Sequence, residues 1–139
     1  MGSKAHSQWT GTIAAGKGTM KPAHGPEIGF SLGSRFEGQP QSNPEEVIGA
    51  ALAGCYSMAL SMALEQAGAK PEHIETSAEA VLAKQGDGFA ITSISLHCVA
   101  KASGIDAAKF ATVAEQTKQG CPVSKALSGT KIILTAKLG

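Results

Sequence analysis

The segment Asn43–Ala67 constrains the fold most, because it predicts one long helix that is apolar on nearly every face. Asn43 is suited to the N-cap, directly before Pro44 at the first helical position. Gly68 follows the last helical residue, and Pro71 prevents any continuation. A helix with one apolar stripe lies on a surface, whereas a helix that is apolar all round belongs in the centre of a structure.

Composition narrows the class of protein. Glu45, Glu46 and Glu65 interrupt the apolar run of the helix, so we expect no membrane span. The 139-residue chain has a formal net charge of +1 and 4% aromatic residues, which argues against a nucleic-acid partner. The polar N-terminus shows no secretion signal. The chain has only three cysteines, a small and odd number that argues against a disulfide framework. Both features predict a cytoplasmic protein.

The rest of the chain predicts a single domain over residues 1–139, with strands on both sides of the central helix. Segments that read as strands share β-branched or alternating apolar residues: His6–Ala15, the weaker Thr19–Gly25, part of Glu27–Phe36, Ile74–Lys84, Phe89–Ala102 and Thr130–Leu138. The pair Ile74–Lys84 and Phe89–Ala102 predicts a hairpin. Asp106 caps a helix that runs through Gln119, and Pro122 opens a shorter one. This order predicts an α+β fold.

Two of the three cysteines lie where a reactive thiol could form. Cys121 precedes Pro122 at an N-cap-like position, where backbone N–H groups favour a thiolate. Cys55 lies in the middle of a helix, so its activation would need a nearby cation or hydrogen-bond donor. The alternative is that both are buried packing residues, as cysteine often is. Cys98 alternates with Leu96 and Ala100 on an apolar strand face, and we expect it only to pack.

The sequence gives little support for a metal site, a Cys-His hydrolase or a phosphate-binding loop. There is no Cys-x-x-Cys, and His6, His24, His73 and His97 are scattered, so we expect no metal site. No histidine has an evident acidic partner for a Cys-His hydrolase, and no glycine-rich phosphate loop precedes a helix, so we expect no cofactor.

Three segments together resemble the OsmC/Ohr family of thiol-dependent hydroperoxide reductases. They are RFEG at Arg35–Gly38, NPEEVIGAALAGCYSMAL at Asn43–Leu60 and GCPVSKAL at Gly120–Leu127. The segments GFAIT and GID, which begin at Gly88 and Gly104, fit the OsmC branch. The resemblance covers essentially the whole chain and implies an intertwined homodimer, with antiparallel sheets wrapped around paired central helices.

The resemblance also implies the site and the reaction. Cys55 matches the peroxidatic cysteine, Cys121 the resolving cysteine, and Arg35 with Glu45 the activating pair. The implied function is reduction of organic hydroperoxides, and of hydrogen peroxide less well, through a Cys55 sulfenic acid and a Cys55–Cys121 disulfide that an external dithiol reduces. The alternatives are a non-catalytic dimer that binds a small molecule or senses redox state, and, more weakly, a hydrolase on the same fold.

The spacing on the central helix suggests which subunit supplies Glu45. Glu45 and Cys55 are ten residues apart. This places them roughly 15 Å apart along the axis and about 80° apart around it. If the central helices of two subunits run antiparallel, Glu45 of one lies near Cys55 of the other. The hypothesis is that each site takes both cysteines from one chain and Arg35 with Glu45 from its partner.

Overall fold

The computed structural model describes residues 1–139 as two compact units, Met1–Val47 and Ile48–Gly139, whose boundary falls inside the central helix. The elements, in chain order, are β1 (Ala5–Thr10), β2 (Lys17–Pro22), β3 (Ile28–Phe30), α1 (Leu32–Phe36), α2 (Pro44–Gln66), β4 (Lys70–Gln85), β5 (Gly88–Ser103), α3 (Ala107–Gly120), α4 (Pro122–Ala126) and β6 (Lys131–Leu138). Two three-stranded sheets and four helices confirm the predicted α+β class.

The central helix α2 begins and ends where its capping residues predict. The Asn43 side-chain oxygen accepts a hydrogen bond of 2.9 Å from the backbone N–H of Glu46. At the other end Gly68 has a φ of 84°, a conformation that suits glycine. This turn lets the N–H of Ala69 donate back to the carbonyl of Leu64 at 2.9 Å. The helix is therefore stopped by its own local sequence.

We expected the composition of the central helix to exclude a membrane span, and this argument is wrong. Helix α2 is long and apolar enough to cross a membrane by length and composition, with a mean hydropathy of 1.8. The reason is that Glu45 and Glu46 occupy the first turn and Glu65 the last, which leaves the middle of the helix uncharged. The core helix of a soluble protein meets the same criterion.

The first unit contains the antiparallel sheet β1–β2–β3. The segment Glu27–Phe36 was expected to hold a strand, and only β3 is one; helix α1 follows it directly. Ser31 and Ser34 explain this helix, because they form a reciprocal capping box. The Ser31 hydroxyl accepts from the N–H of Ser34 at 3.1 Å, and the Ser34 hydroxyl accepts from the N–H of Ser31 at 2.9 Å.

The second unit is built on the predicted hairpin. Strands β4 and β5 pair antiparallel as far as Gln85 and Gly88, and Gly86 has a φ of 60° in the two-residue turn. Strand β6 joins β5 in parallel, so the expectation of antiparallel sheets is wrong for this pair. The core of this unit combines one side of α2 with the inner face of the sheet and with α3: Leu52, Leu60, Leu64, Ile94, Leu96, Cys98, Ala100 and Phe110. The predicted apolar face of β5 is confirmed.

The opposite side of α2 remains uncovered within the chain. Met58 and Met62 are 76% and 57% exposed, and Gly54 and Ala51 lie exposed one and two turns before Met58. These residues follow helical spacing and define the open stripe of α2. Since a contiguous apolar surface usually marks an interaction site, this stripe is a candidate interface.

Candidate active site

The structure brings Cys55 and Cys121 together within the second unit. Cys55 lies in the middle of α2, and Cys121 is both the residue after α3 and the N-cap of α4. Their sulphur atoms are 2.7 Å apart, with the Cys121 thiol donating to Cys55, and both are free thiols. Cys121 is only 1% exposed, whereas Cys55 is half-buried. A disulfide needs sulphur atoms about 2.05 Å apart, so only a small movement separates this pair from a bond.

The two thiols have opposite pKa shifts. Burial is the main cause that raises the pKa of Cys55, and the neighbouring Cys121 adds to it. Burial would also raise the pKa of Cys121, but the interactions that Cys55, Ser124 and the N–H of Val123 offer to an ionised Cys121 sulphur outweigh burial and lower the pKa. Within this unit the thiolate is therefore more stable on Cys121. Cys55 would need a cation from elsewhere to ionise, as its mid-helix position predicts.

Arg35 and Glu45 form an ion pair within the first unit. Arg35 lies in the last turn of α1 and Glu45 in the first turn of α2. Both Nε and Nη2 of Arg35 donate to Oε1 of Glu45, at 2.9 Å and 2.6 Å. The pairing is bidentate on the arginine side only, because one carboxylate oxygen accepts both bonds. This arrangement leaves Nη1 of a permanently charged guanidinium to donate to an anion.

The pair is held in place by neighbouring contacts. Glu45 is 6% exposed, and the side chain of Arg35 is 39% exposed. The side-chain amide of Asn43 donates to the carbonyl of Ser34 at 3.2 Å, which ties the end of α1 to the start of α2. The Arg35 guanidinium also lies 5.6 Å from the centre of the Phe36 ring. Glu45 thus fixes one edge of an arginine whose side chain stays partly exposed.

Cys98 occupies the position expected of a packing residue. It is 1% exposed on β5, and burial raises its pKa, although the Thr76 hydroxyl opposes the shift. A thiol with these properties is poorly reactive. No group of three His, Cys, Asp or Glu side chains is placed to hold a metal ion.

Sequence reasoning missed one residue of this site, Ser124. Its side chain is buried at 7% exposure beside Cys121, and its hydroxyl has no geometric hydrogen-bond partner. The signal was present in the sequence, because Ser124 lies three residues after the N-cap Cys121, where capping side chains reach back.

A groove of about 620 Å³ lies between α2 and α3, and Cys121 is one of the residues that line it. Ala59, Met62 and Val113 give it apolar walls. Lys109 lies on its α3 side. An apolar groove beside a reactive thiol can hold the hydrocarbon part of a small molecule.

The fold and the paired thiols define a class first: an α+β protein whose two distant cysteines meet as a dithiol that is poised to form a disulfide. The chain belongs to the OsmC family, because the family model described as OsmC-like protein matches residues 37–135. It is also 44% identical over 126 residues to a protein of Escherichia coli strain K12 named Peroxiredoxin OsmC, an alignment that covers 89% of this chain and 88% of the relative.

Solved structures share the fold. An OsmC-like protein of unknown function from Vibrio cholerae has a TM-score of 0.78 at 16% identity, covering 98% of this chain and 99% of that one. An organic hydroperoxide resistance protein from Elizabethkingia anophelis has a TM-score of 0.76 at 22% identity, covering 98% of this chain and 96% of that one. These likenesses confirm the expected OsmC-like fold.

Proposed function

We propose that this chain is a thiol-dependent peroxidase that reduces organic hydroperoxides to alcohols, and hydrogen peroxide less well. The observation that carries the proposal is the contact of Cys55 with Cys121 at 2.7 Å, since it supplies an attacking thiol and a second thiol to resolve the product. The E. coli relative named Peroxiredoxin OsmC supports the same activity.

In the proposed first step, Cys55 is the attacking thiol. Cys55 is the more exposed of the two residues, which favours its reaction with a peroxide. Its thiolate forms a bond to the terminal peroxide oxygen while the O–O bond breaks. The alkoxide takes a proton and leaves as the alcohol, and Cys55 becomes a sulfenic acid.

Arg35 supplies the positive charge that this step requires. The raised pKa of Cys55 has to be offset by a cation, and a guanidinium stays charged at any working pH. Glu45 holds Arg35 by two charge-assisted bonds to one oxygen, so the arginine presents a fixed orientation to the thiolate and to the departing alkoxide.

In the second step Cys121 attacks the sulfenic acid. Its thiolate forms the S–S bond, and hydroxide leaves Cys55 and takes a proton to become water. An external dithiol then returns both cysteines to the thiol state in two exchange reactions. The dithiol is a co-substrate of this proposal, which involves no cofactor and no metal.

The groove between α2 and α3 favours an organic substrate. Its walls include Ala59, Met62 and Val113, which can contact a hydrocarbon group. Hydrogen peroxide has no such group and gains nothing from these contacts, so its reaction depends on the thiol chemistry alone.

We place the enzyme in the cytoplasm as a single-domain homodimer. The open stripe of α2 supports self-association, because Met58 and Met62 would otherwise stay in water. In this dimer Arg35 and Glu45 of one chain serve Cys55 of the other. The alternative is that Glu45 only stabilises the start of its helix and Arg35 acts alone.

Mixing two inactive variants tests the shared site. Cys55→Ser and the double variant Arg35→Ala/Glu45→Ala are refolded together, and the heterodimers are isolated. A shared site regains up to half the activity per dimer, since one of the two sites has every part intact. Confirmed heterodimers without activity would show that each site lies within one chain.

Mass spectrometry after one equivalent of cumene hydroperoxide tests the activity itself. We expect loss of two hydrogens per chain, mapped to a Cys55–Cys121 disulfide, and the same result for Cys98→Ala. An unchanged mass would support the non-catalytic dimer that binds a small molecule. A disulfide that involves Cys98 would contradict the assigned roles.

A further inference from the structure

Ser124 has a buried hydroxyl that its surroundings do not explain. The residue lies in α4 with 7% exposure, and its Oγ has no hydrogen-bond partner. Buried side-chain hydroxyls in folded proteins nearly always have a partner, because leaving one without hydrogen bonds is unfavourable. It is also the one buried side-chain polar atom in this chain that lacks a partner.

The surroundings of Ser124 suggest when its partner forms. Ser124 is the third residue of α4 and Cys121 is the N-cap, so the Ser124 side chain and backbone N–H belong to the turn that begins at Cys121. Both Ser124 groups contribute to the lowered pKa of Cys121. In the thiol state, Cys121 donates its own hydrogen to Cys55 and makes no capping hydrogen bond. A thiol sulphur is only a weak acceptor, whereas a thiolate is a strong one. The hydroxyl therefore lacks a partner only while Cys121 is protonated.

We infer that Ser124 is a thiolate-stabilising residue, whose hydroxyl donates to the Cys121 sulphur whenever that atom carries negative charge. The inference rests on the proposed function, in which Cys121 is charged at two points. Before resolution it is the attacking thiolate, which forms the S–S bond as hydroxide leaves Cys55. During reduction an external thiolate attacks Cys55, the more exposed residue, and the electron pair of the broken S–S bond leaves on Cys121.

Few other ionisable groups face Cys121 from the packed elements. Cys55 faces it from α2, and Lys109 lines the same groove from α3. Lys125, on α4 itself, is exposed. Replacing Ser124 leaves these groups in place, so a change in the ionisation of Cys121 in a Ser124 variant reports on the hydroxyl.

The expected effect of Ser124→Ala depends on pH. Loss of a hydrogen bond to a charged group lowers the acid dissociation constant of Cys121 about tenfold. Below the pKa of Cys121 the thiolate is then about tenfold scarcer, but each thiolate is about threefold more nucleophilic, because nucleophilicity rises with basicity. The resolving step is therefore about threefold slower below the wild-type pKa of Cys121 and about threefold faster above the raised pKa of the variant.

The test follows the Cys55 sulfenic acid after one equivalent of cumene hydroperoxide, by rapid quenching with a sulfenic-acid trap and mass spectrometry, from pH 5 to 10. Ser124→Ala is compared with wild type and with Ser128→Ala, an exposed serine just after α4. We expect the pH profile of Ser124→Ala to cross that of wild type, and Ser128→Ala to follow wild type. The formation rate of the sulfenic acid should be unchanged in Ser128→Ala.

Two further readouts separate chemistry from structure. Reduction of the purified disulfide by dithiothreitol should be slower in Ser124→Ala at every pH, because a more basic thiolate is a poorer leaving group. Its melting temperature should equal or exceed that of wild type, because a buried hydroxyl without a partner has been removed. A lower melting temperature with a superimposable pH profile would show that Ser124 has only a packing role.

The outcomes distinguish this inference from the proposed function. If wild type forms no Cys55 sulfenic acid, the proposed function is wrong. If wild type forms it and Ser124→Ala resolves it with the wild-type pH profile, only the role of Ser124 is wrong.

Discussion

Glu45 and Glu46 are adjacent in the first turn of α2, and their different surroundings allow a matched comparison. Glu45 is 6% exposed and accepts both hydrogen bonds from Arg35. Glu46 is exposed and accepts a hydrogen bond of 2.8 Å from the Ser42 hydroxyl. The substitutions Glu45→Gln and Glu46→Gln remove the same charge from the same helix end, so each loses a similar interaction with the helix dipole.

The difference between the two variants measures the pairing with Arg35. Glu45→Gln keeps an oxygen that can accept, but converts two charge-assisted bonds of 2.9 Å and 2.6 Å into weaker ones. A bond to a charged group contributes about 1.5–3 kcal/mol and a neutral one about 1 kcal/mol. Because the Arg35 side chain is 39% exposed, solvent screening reduces the gain. We expect Glu45→Gln to cost about 1–2 kcal/mol, and Glu46→Gln less than about 0.5 kcal/mol.

Thermal unfolding and peroxide kinetics check this prediction. At equal protein concentration, Glu45→Gln should lower the melting temperature by about 4–8 °C, since a chain of this size loses roughly 4 °C per kcal/mol. It should also slow the oxidation of Cys55 by cumene hydroperoxide about tenfold, because Arg35 loses its fixed orientation. Equal effects of the two variants on both quantities would refute the role of the Arg35–Glu45 pair.

Three further predictions concern the core and the open stripe of α2. Cys98→Ala should keep the peroxidase rate within about twofold and cost about 1 kcal/mol in unfolding, while rapid alkylation of Cys98 in the native protein would contradict its packing role. Tyr56→Phe should cost about 1 kcal/mol, because the hydroxyl donates to the carbonyl of Ala114 at 3.1 Å. Burial raises the pKa of Tyr56, so the contribution of this tyrosine to stability is complete below about pH 10 and falls as the pH rises further. Denaturant unfolding should therefore show a smaller loss of stability at alkaline pH in Tyr56→Phe than in wild type. Equal losses in the two proteins would refute this role of the tyrosine. Met58→Lys places a charge in the open stripe of α2 and should yield monomers, as measured by light scattering. Glu79→Lys, at an exposed position of β4, is the control and should leave the dimer intact. A dimer that survives Met58→Lys would exclude the open stripe as the interface.

Local signals predicted most of the secondary structure. The caps Asn43 and Gly68 fix the ends of α2, and the two-residue turn at Gly86 fixes the hairpin. Helix α1 was missed because Ser34 replaces the usual Glu or Gln of a capping box, so the signal at Ser31 is weaker. The parallel pairing of β5 with β6 could not be predicted, because it joins strands separated by two helices and depends on tertiary packing.

The site was less accessible to sequence reasoning than the fold. The position of Cys121 before Pro122 indicates a reactive thiol, but nothing in the spacing of 66 residues places it against Cys55. That pairing, and the roles of Arg35 and Glu45, came from family resemblance. The spacing of Ser124 from Cys121 indicates a capping position, but only the structure reveals that its hydroxyl is buried and without a partner.

The central claim is that Cys55 attacks and Cys121 resolves, and peroxide consumption by single-cysteine variants tests it most directly. With cumene hydroperoxide and a dithiol reductant, Cys55→Ser should consume no peroxide above background. Cys121→Ser should consume about one equivalent per site and then stall, because the sulfenic acid cannot form the disulfide. Wild-type turnover by Cys121→Ser would contradict the resolving role, and an undiminished rate in Cys55→Ser would contradict the mechanism as a whole.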